Sequence, residues 1–182
     1  MLTLRNSTAA AFAAALFLLF ASALHAAQRT PQALHGKVIG VADGDTVKVL
    51  DDTNTTHTIR LLGIDAPEKA QAFGTRAKHS LSELAYGQTV TVKWRKRDRY
   101  GRIVGTLHNR RGDDLNLRQV QRGMAWHYAD YQREQSPADR MAYARAESEA
   151  RQKRLGLWAD RDPEAPWEYR RNRRMARTAE GH

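Results

Sequence analysis

Three short strand-like segments joined by tight turns constrain the fold of this chain most strongly. Residues 37–41, 46–50 and 57–62 alternate between apolar and polar side chains, or run apolar, over lengths typical of β-strands. Asp43-Gly44-Asp45 separates the first two segments, and Asp-Asp-Thr-Asn at residues 51–54 separates the second from the third. Because strands joined by such short turns pair with their neighbours, we expect these three to form a meander.

Two further strands and three helices follow the meander. Residues 89–94 and 103–107 have strand patterns on either side of a bend at Tyr100-Gly101. Helical patterns occur at residues 71–86, 114–122 and 137–154. The last of these begins with Ser136 as a predicted N-cap and Pro137 at the first helical position. Five short strands with three helices predict a mainly β, α+β fold, namely a small antiparallel barrel with helices against it.

The N-terminal 27 residues differ in composition from the rest of the chain. Arg5 is the only charged residue among them, and an apolar run ends in the small residues Ala26 and Ala27. The run is shorter than a comfortable membrane span but fits the core of a signal peptide. We therefore predict that residues 1–27 are a signal peptide and that the protein is secreted or periplasmic. An uncleaved N-terminal membrane anchor is the alternative.

Charge and cysteine content restrict the classes of function. The chain has 182 residues, no cysteine and a net charge of +10, from 30 Lys and Arg against 20 Asp and Glu. Disulfides, Cys-ligated metals and thiol catalysis are thereby excluded, and the positive charge favours a polyanionic partner.

The length predicts one domain, over residues 35–160, followed at residues 161–182 by a basic tail that we expect to be mobile. We expect Trp158 and Trp167 to cover the side of the barrel or to anchor the tail.

Four carboxylates stand out in this basic chain. Asp43 and Asp45 flank a glycine turn, and Asp65 and Glu68 follow the third strand. Each segment could be no more than a turn, but both lie where the strands of the meander would bring them to one end of the barrel. Carboxylate and carbonyl oxygens gathered there suit a hard cation such as Ca²⁺.

Two arginines complete a constellation suited to phosphate chemistry. Arg60 lies near the end of the third strand, where it is either a structural partner for a carboxylate or a clamp for a phosphate. Arg102 follows the Tyr100-Gly101 bend. Paired guanidiniums can donate hydrogen bonds to a phosphodiester and favour the additional charge of its transition state. Glu68 has the chemistry needed to position or deprotonate a water molecule.

The motifs that contain these residues resemble a known family. They are Asp43-Gly44-Asp45-Thr46, then Arg-Leu-Leu-Gly-Ile-Asp-Ala-Pro-Glu at residues 60–68, then Asp98-Arg99-Tyr100-Gly101-Arg102. In order and separation they are similar to the three signature segments of the staphylococcal (micrococcal) nuclease family. The resemblance extends from Gly36 to Trp158.

The resemblance implies an OB-fold barrel with three helices and a Ca²⁺-dependent endonuclease that cleaves DNA and RNA to leave 3′-phosphate ends. By the same resemblance, Arg60, Glu68 and Arg102 would be the catalytic set. Asp45 and Asp65 would ligate the metal through their side chains, and Ala66, which replaces a threonine of the family, would ligate it through its carbonyl.

The resemblance also indicates the residues that would contact nucleic acid. Arg99 replaces a lysine and keeps its charge. Tyr131 matches the second of two substrate-side tyrosines, while Ala129 occupies the position of the first, with Tyr128 beside it. Tyr100, Tyr128 and Tyr131 could stack on bases or cover a phosphate. We expect a monomer that acts on DNA and RNA without a stable protein partner.

Two other classes of function fit part of the sequence. A non-catalytic nucleic-acid-binding module on the same fold would need the basic surface but not the acidic cluster. A cationic surface protein that binds anionic lipid or cell-wall polymer likewise gives no reason for Asp45, Asp65 and Glu68 to be present together.

Overall fold

The computed structural model describes residues 32–180. Within these residues the strands are β1 (Gln32–Val41), β2 (Thr46–Asp51), β3 (Thr56–Leu61), β4 (Ile64–Asp65), β5 (Thr89–Arg97), β6 (Ile103–His108) and β7 (Trp126–His127). The α-helices are α1 (Gly74–Ala85), α2 (Leu115–Gln121), α3 (Pro137–Gln152) and α4 (Pro166–Glu180). Short 3₁₀ helices span Ala129–Glu134 and Gly156–Ala159.

Five of the strands close into a barrel in the order β1-β2-β3-β6-β5. The barrel closes at Val38, whose N–H donates to the Gln88 carbonyl and whose carbonyl accepts from the Gly87 N–H, both at 2.9 Å. The predicted five-stranded α+β barrel is confirmed. The expectation of a wholly antiparallel barrel is wrong for one pair, since β3 and β6 are parallel, with Ile59 opposite Ile103. The crossover through α1 and β5 brings β6 alongside β3 in the same direction.

Alternating side chains of the strands fill the barrel. Val47 and Val49 on β2 and Ile59 and Leu61 on β3 are at most 1% exposed, while Lys48 between the two valines faces solvent. Burial of each such side chain contributes about 1.5–3 kcal/mol to folding. This packing fixes the ends of β2 and β3, from which the acidic cluster extends.

Side-chain caps begin two of the helices that pack beside the barrel. The carboxylate of Asp114 accepts from the N–H of Leu117 at the start of α2. Ser136 accepts from the N–H of Asp139 at 3.1 Å, and Pro137 occupies the first turn, as predicted for α3. A capping side chain is typically worth about 1 kcal/mol.

The chain beyond the 3₁₀ helix at Gly156–Ala159 forms a helix where the sequence predicts a mobile tail. Helix α4 begins at Pro166, and its first residues are partly or fully buried against the domain, whereas its later residues are exposed. Trp167 anchors it by stacking on the ring of Tyr128, with centroids 5.3 Å apart and planes 3° apart. The expectation failed because the arginine-rich composition obscured the residues that pack.

The predicted signal peptide at residues 1–27 lies outside the described residues. Over residues 32–180, no helix combines the length and the apolar character needed to cross a bilayer.

Candidate active site

The two aspartates at the end of the barrel lie together. Since β2 and β3 are antiparallel, with Thr46 opposite Arg60, the start of β2 and the end of β3 meet at one end of the barrel. Asp45 immediately precedes β2, and Asp65 ends β4, just beyond β3. The N–H of Ala66 donates to Asp45 Oδ2 at 2.8 Å. The structure thus brings Asp45, Asp65 and Ala66 together, as the strand order predicts.

The guanidinium of Arg60 binds both carboxylates. Its Nη2 lies 2.8 Å from Asp65 Oδ1 and 3.1 Å from Asp45 Oδ2. Its Nη1 donates to the carbonyls of Leu61 at 2.9 Å and Ile64 at 2.8 Å. Arg60 is therefore a structural partner of the carboxylates in this structure, and it also holds the chain between β3 and β4.

The centre carries more negative charge than Arg60 can balance. Asp45 is 6% exposed and Asp65 is 1% exposed. Burial raises the pKa of Asp65, although Arg170 and Arg60 oppose the shift. Burial, together with the neighbouring charge of Asp45, raises the pKa of Asp43 to about 6. Closely packed buried carboxylates of this kind are stabilised by an additional positive charge.

The turn that carries Asp43 and Asp45 is held from behind by a buried side chain. Gln119 of α2 is fully buried and donates to the carbonyls of Gly44 at 2.9 Å and Ala77 at 3.0 Å. Gly44 itself packs closely, since a Cβ at that position would come within 2.6 Å of the Ala66 Cβ. A glycine and a buried amide therefore set the position of the acidic turn.

Arg170 of α4 binds the same acidic cluster from the other side. Its Nη2 donates to Asp65 Oδ2 at 2.7 Å, and its Nη1 donates to Glu68 Oε1 at 2.8 Å. Nη1 also lies 3.3 Å from Asp65 Oδ1. The side chain of Arg170 is 35% exposed, so this ion pair lies at the mouth of the site.

Arg102 lies on the hairpin between β5 and β6. Its Nε donates to Asp98 Oδ2 at 2.7 Å, and its guanidinium lies 5.6 Å from the centre of the Tyr100 ring. Arg102 directly precedes β6, and Val104, two residues further on, is opposite Arg60 in the parallel β3–β6 pair. Among residues 32–180, the ion-pair partner of Arg102 is Asp98 rather than the central carboxylates.

The aromatic residues predicted to contact nucleic acid fall into two groups. Tyr100 is 68% exposed on the β5–β6 hairpin, with the Arg99 guanidinium 4.8 Å from its ring centre. Tyr128 and Tyr131 pack together with ring centroids 4.8 Å apart. The N–H of Tyr128 donates to the carbonyl of Gly63, just before β4, at 2.9 Å, which places Tyr128 beside the acidic centre. Burial and the nearby charge of Asp65 raise the pKa of Tyr128. Trp167 covers one face of Tyr128.

Comparison with known proteins identifies the family. The sequence model described as Staphylococcal nuclease homologue matches residues 58–160. The chain is 41% identical over 137 residues to a protein of Escherichia coli named "Uncharacterized endonuclease", covering 75% of this chain and 85% of that protein. This chain belongs to the staphylococcal nuclease family. The resemblance noted in the sequence is thereby confirmed.

Other relatives of this staphylococcal nuclease homologue carry related names. A "Micrococcal nuclease" of Shigella flexneri is 41% identical over 144 residues, covering 75% of this chain and 80% of the relative. A "Staphylococcal-like nuclease CAN1" of Arabidopsis thaliana is 41% identical over 116 residues, covering 64% of this chain but 34% of that longer protein. The chain is therefore an enzyme of the nuclease class, which hydrolyses phosphodiester bonds.

The donor atoms of the site fit the metal on which nucleases of this family generally depend. Within the described residues no group of three or more His, Asp or Glu side chains is arranged to hold a metal ion. The site instead combines the buried carboxylates of Asp45 and Asp65 with the backbone of Ala66. Oxygen donors of these kinds, completed by water, suit a hard divalent cation.

Two residues of this nuclease's centre are not identified from the sequence. Gln119 lies on a predicted helix, but nothing in the local pattern shows that it reaches the acidic turn. Arg170 lies in an arginine-rich run, 105 residues after Asp65, and no local spacing distinguishes it from its neighbours. The tryptophan three residues before it, Trp167, is the one available signal that this helical face packs.

Proposed function

We propose that this nuclease is an exported, Ca²⁺-dependent endonuclease that hydrolyses DNA and RNA to leave 3′-phosphate ends. The observation that carries the proposal is the pair of buried carboxylates, Asp45 and Asp65, on either side of one arginine. A site that only bound nucleic acid would gain nothing from burying negative charge where the phosphate must approach.

In this proposal Asp45, Asp65 and the carbonyl of Ala66 hold the cation. When bound, Ca²⁺ supplies positive charge that polarises a phosphoryl oxygen. Arg102 donates hydrogen bonds to the non-bridging oxygens of the phosphodiester, and Arg60 adds its Nε–H, the donor that its four contacts described above do not use. Guanidinium donors of this type stabilise the additional negative charge of the transition state.

Glu68 positions the attacking water or accepts its proton. Water attacks phosphorus, the bond from phosphorus to the 5′ oxygen breaks, and that oxygen leaves as a hydroxyl after gaining a proton. The phosphate stays on the 3′ oxygen. Glu68 suits this role because its side chain is 41% exposed at the mouth of the site, whereas Asp65 beside it is buried.

The surface around the centre suits a nucleic-acid strand. Tyr100 with Arg99 lies on the β5–β6 hairpin, and Tyr128 with Tyr131 follows β7. Both pairs supply aromatic rings on which bases stack. Basic residues of β5 and the following loops add phosphate contacts, namely Lys93, Arg95, Lys96, Arg97, Arg110 and Arg111. Binding should therefore weaken steeply as the salt concentration rises.

Cleavage of single-stranded DNA tests the proposal directly. The chain lacking residues 1–27 is assayed with Ca²⁺ and with excess chelator, beside Asp45→Asn and the matched control Asp52→Asn, an exposed carboxylate of the β2–β3 turn. We expect cleavage that requires Ca²⁺ and Asp45 but not Asp52, and end-group analysis should find 3′-phosphates. Binding without cleavage would establish the non-catalytic module, and cleavage in chelator would refute the metal assignment.

Export is tested separately by expressing the full-length chain and sequencing the N-terminus of the protein recovered outside the cytoplasm. We expect the new N-terminus close to Ala27. Retention of residues 1–27 in a membrane fraction would establish the anchored form instead.

A further inference from the structure

Helix α4 places a positive charge where a cation and a phosphate would bind. Arg170 contacts both oxygens of Asp65 and one oxygen of Glu68. Both carboxylate oxygens of Asp45 also have partners. Oδ2 accepts from the N–H of Ala66 and pairs with Arg60, and Oδ1 accepts from the Thr46 hydroxyl at 3.1 Å. Arg170 contacts both oxygens of Asp65 and therefore competes with a cation for this carboxylate.

Four further contacts hold α4 over the site. Trp167 stacks on Tyr128 and meets Trp126 edge-on, with ring centroids 5.5 Å apart. The Tyr169 hydroxyl donates to the carbonyl of Ala70 at 3.1 Å. Just before the helix, the carbonyl of Glu164 accepts from the Gln71 side chain at 2.7 Å. These contacts link α4 to the loop that follows Glu68, and they cover an aromatic ring proposed to stack on substrate.

We propose that α4 is an autoinhibitory helix whose Arg170 fills the acidic centre until a divalent cation and a nucleic-acid strand displace it. The inference rests on the proposed function, because it treats Asp65 and Glu68 as the metal ligand and the water-positioning residue. The chain then contains its own competitor for Asp65 and Glu68. Arg170 neutralises the carboxylates that the cation needs, and it engages the Glu68 oxygen that the reaction needs.

The exposed part of α4 is basic and can bind a nucleic-acid strand, which would draw the helix away from the site. Residues 171–179 are exposed and include four arginines, Arg171, Arg173, Arg174 and Arg177. A polyphosphate backbone attracts such a basic face, while the cation binds the carboxylates that Arg170 vacates. Each ligand therefore favours the released state, and cation and strand should bind with positive cooperativity.

Calorimetric titration with Ca²⁺ alone tests the inference without relying on activity. Arg170→Ala is compared with wild type and with the matched control Arg171→Ala, whose arginine is 60% exposed and lies 3.7 Å from Glu168 of its own helix. We expect Arg170→Ala to bind Ca²⁺ at least about fivefold more tightly than wild type, the lower end of typical coupling between two sites. Arg171→Ala should match wild type. Arg170→Lys, which keeps the charge but not the paired donors, should fall between them.

Tryptic cleavage within α4 provides a second readout. Wild type should be cut slowly in chelator and several-fold faster in Ca²⁺, whereas Arg170→Ala should be cut quickly in both. Equal or weaker Ca²⁺ binding by Arg170→Ala, or cleavage of wild-type α4 at a rate that ignores Ca²⁺, overturns the autoinhibitory role. The proposed function is tested independently, because it depends on whether DNA cleavage requires Asp45. If the Asp45→Asn variant cuts DNA like wild type, the proposed function fails and the autoinhibitory role fails with it.

Discussion

Arg60 and Arg102 have the same proposed chemical role but very different structural surroundings. Arg60 pairs with two carboxylates that are almost fully buried, and it donates to two carbonyls. Arg102 pairs with Asp98, four residues away, with side chains that are 31% and 19% exposed. Replacing either arginine by alanine should reduce kcat by about 10²-fold or more, as expected when a transition-state donor is removed. The two substitutions should nevertheless differ sharply in their effect on stability.

The magnitudes follow from what each substitution leaves behind. Breaking a buried ion pair by removing one partner costs about 3–5 kcal/mol, because the other charge stays buried. In Arg60→Ala, Asp45 loses its cation while Asp65 keeps Arg170, so we expect a loss at the lower end, about 3 kcal/mol. In Arg102→Ala the partly exposed pair is worth about 0–1 kcal/mol. The backbone N–H groups of Tyr100 and Arg102 continue to donate to Asp98 after that change.

Urea unfolding followed by tryptophan fluorescence measures the difference. With a slope of about 2 kcal/mol per molar urea, Arg60→Ala should lower the midpoint by roughly 1.5 M and Arg102→Ala by no more than about 0.5 M. Adding Asp45→Asn to Arg60→Ala should recover part of the loss, because it removes the charge left without a partner. Equal losses for the two single variants, or strict additivity in the double variant, would refute the reasoning from buried charge.

Three further outcomes follow from the contacts of single side chains. Glu68→Gln should lower kcat far more than affinity for single-stranded DNA, and equal losses in turnover and binding would indicate a binding role instead. Gln119→Leu leaves the buried Gly44 carbonyl without its donor, so urea unfolding should show a loss of about 1–3 kcal/mol; an unchanged midpoint would mean that the amide does not hold the turn. Hydrogen bonds from His57 and the β2–β3 turn lower the pKa of Asp51. Stability from Asp51 is therefore present above the pKa of its unfolded carboxyl and lost as the pH falls through the folded value, so the advantage of wild type over Asp51→Asn should shrink between pH 5 and pH 2.

The parts of the fold that local patterns encode were predictable. Alternation of side chains located the five barrel strands, and Ser136 with Pro137 located the start of α3. The direction of pairing between β3 and β6 was not predictable from alternation, because a strand pattern does not specify which strand lies beside it. The strands β4 and β7 have two residues each, too few for any periodic signal.

In the candidate site, too, the residues on neighbouring strands were predictable from the sequence, and those on remote helices were not. Asp45, Asp65 and Arg60 lie at the ends of neighbouring strands, so the strand order alone brought them together. Gln119 and Arg170 reach the centre from helices remote in the chain, and their contributions depend on how those helices pack. A high arginine content is typical of a solvated tail, but the aliphatic stem and planar head of an arginine also allow it to pack and to pair with buried carboxylates.

The small β4–β7 sheet joins these local and remote contributions. Asp65 is opposite Trp126 in that pair, and Trp126 contacts Trp167 at the start of α4. The aspartate that anchors the acidic centre is thus connected to α4 twice, through its own ion pair with Arg170 and through the backbone of its strand. A basic protein that buries Asp45 and Asp65 together needs a positive charge beside Arg60 in every state, since unpaired buried carboxylates are costly. Arg170 supplies this positive charge in the absence of substrate, and a bound cation would supply it once Arg170 is displaced. The negative charge of the two carboxylates is therefore compensated in both states.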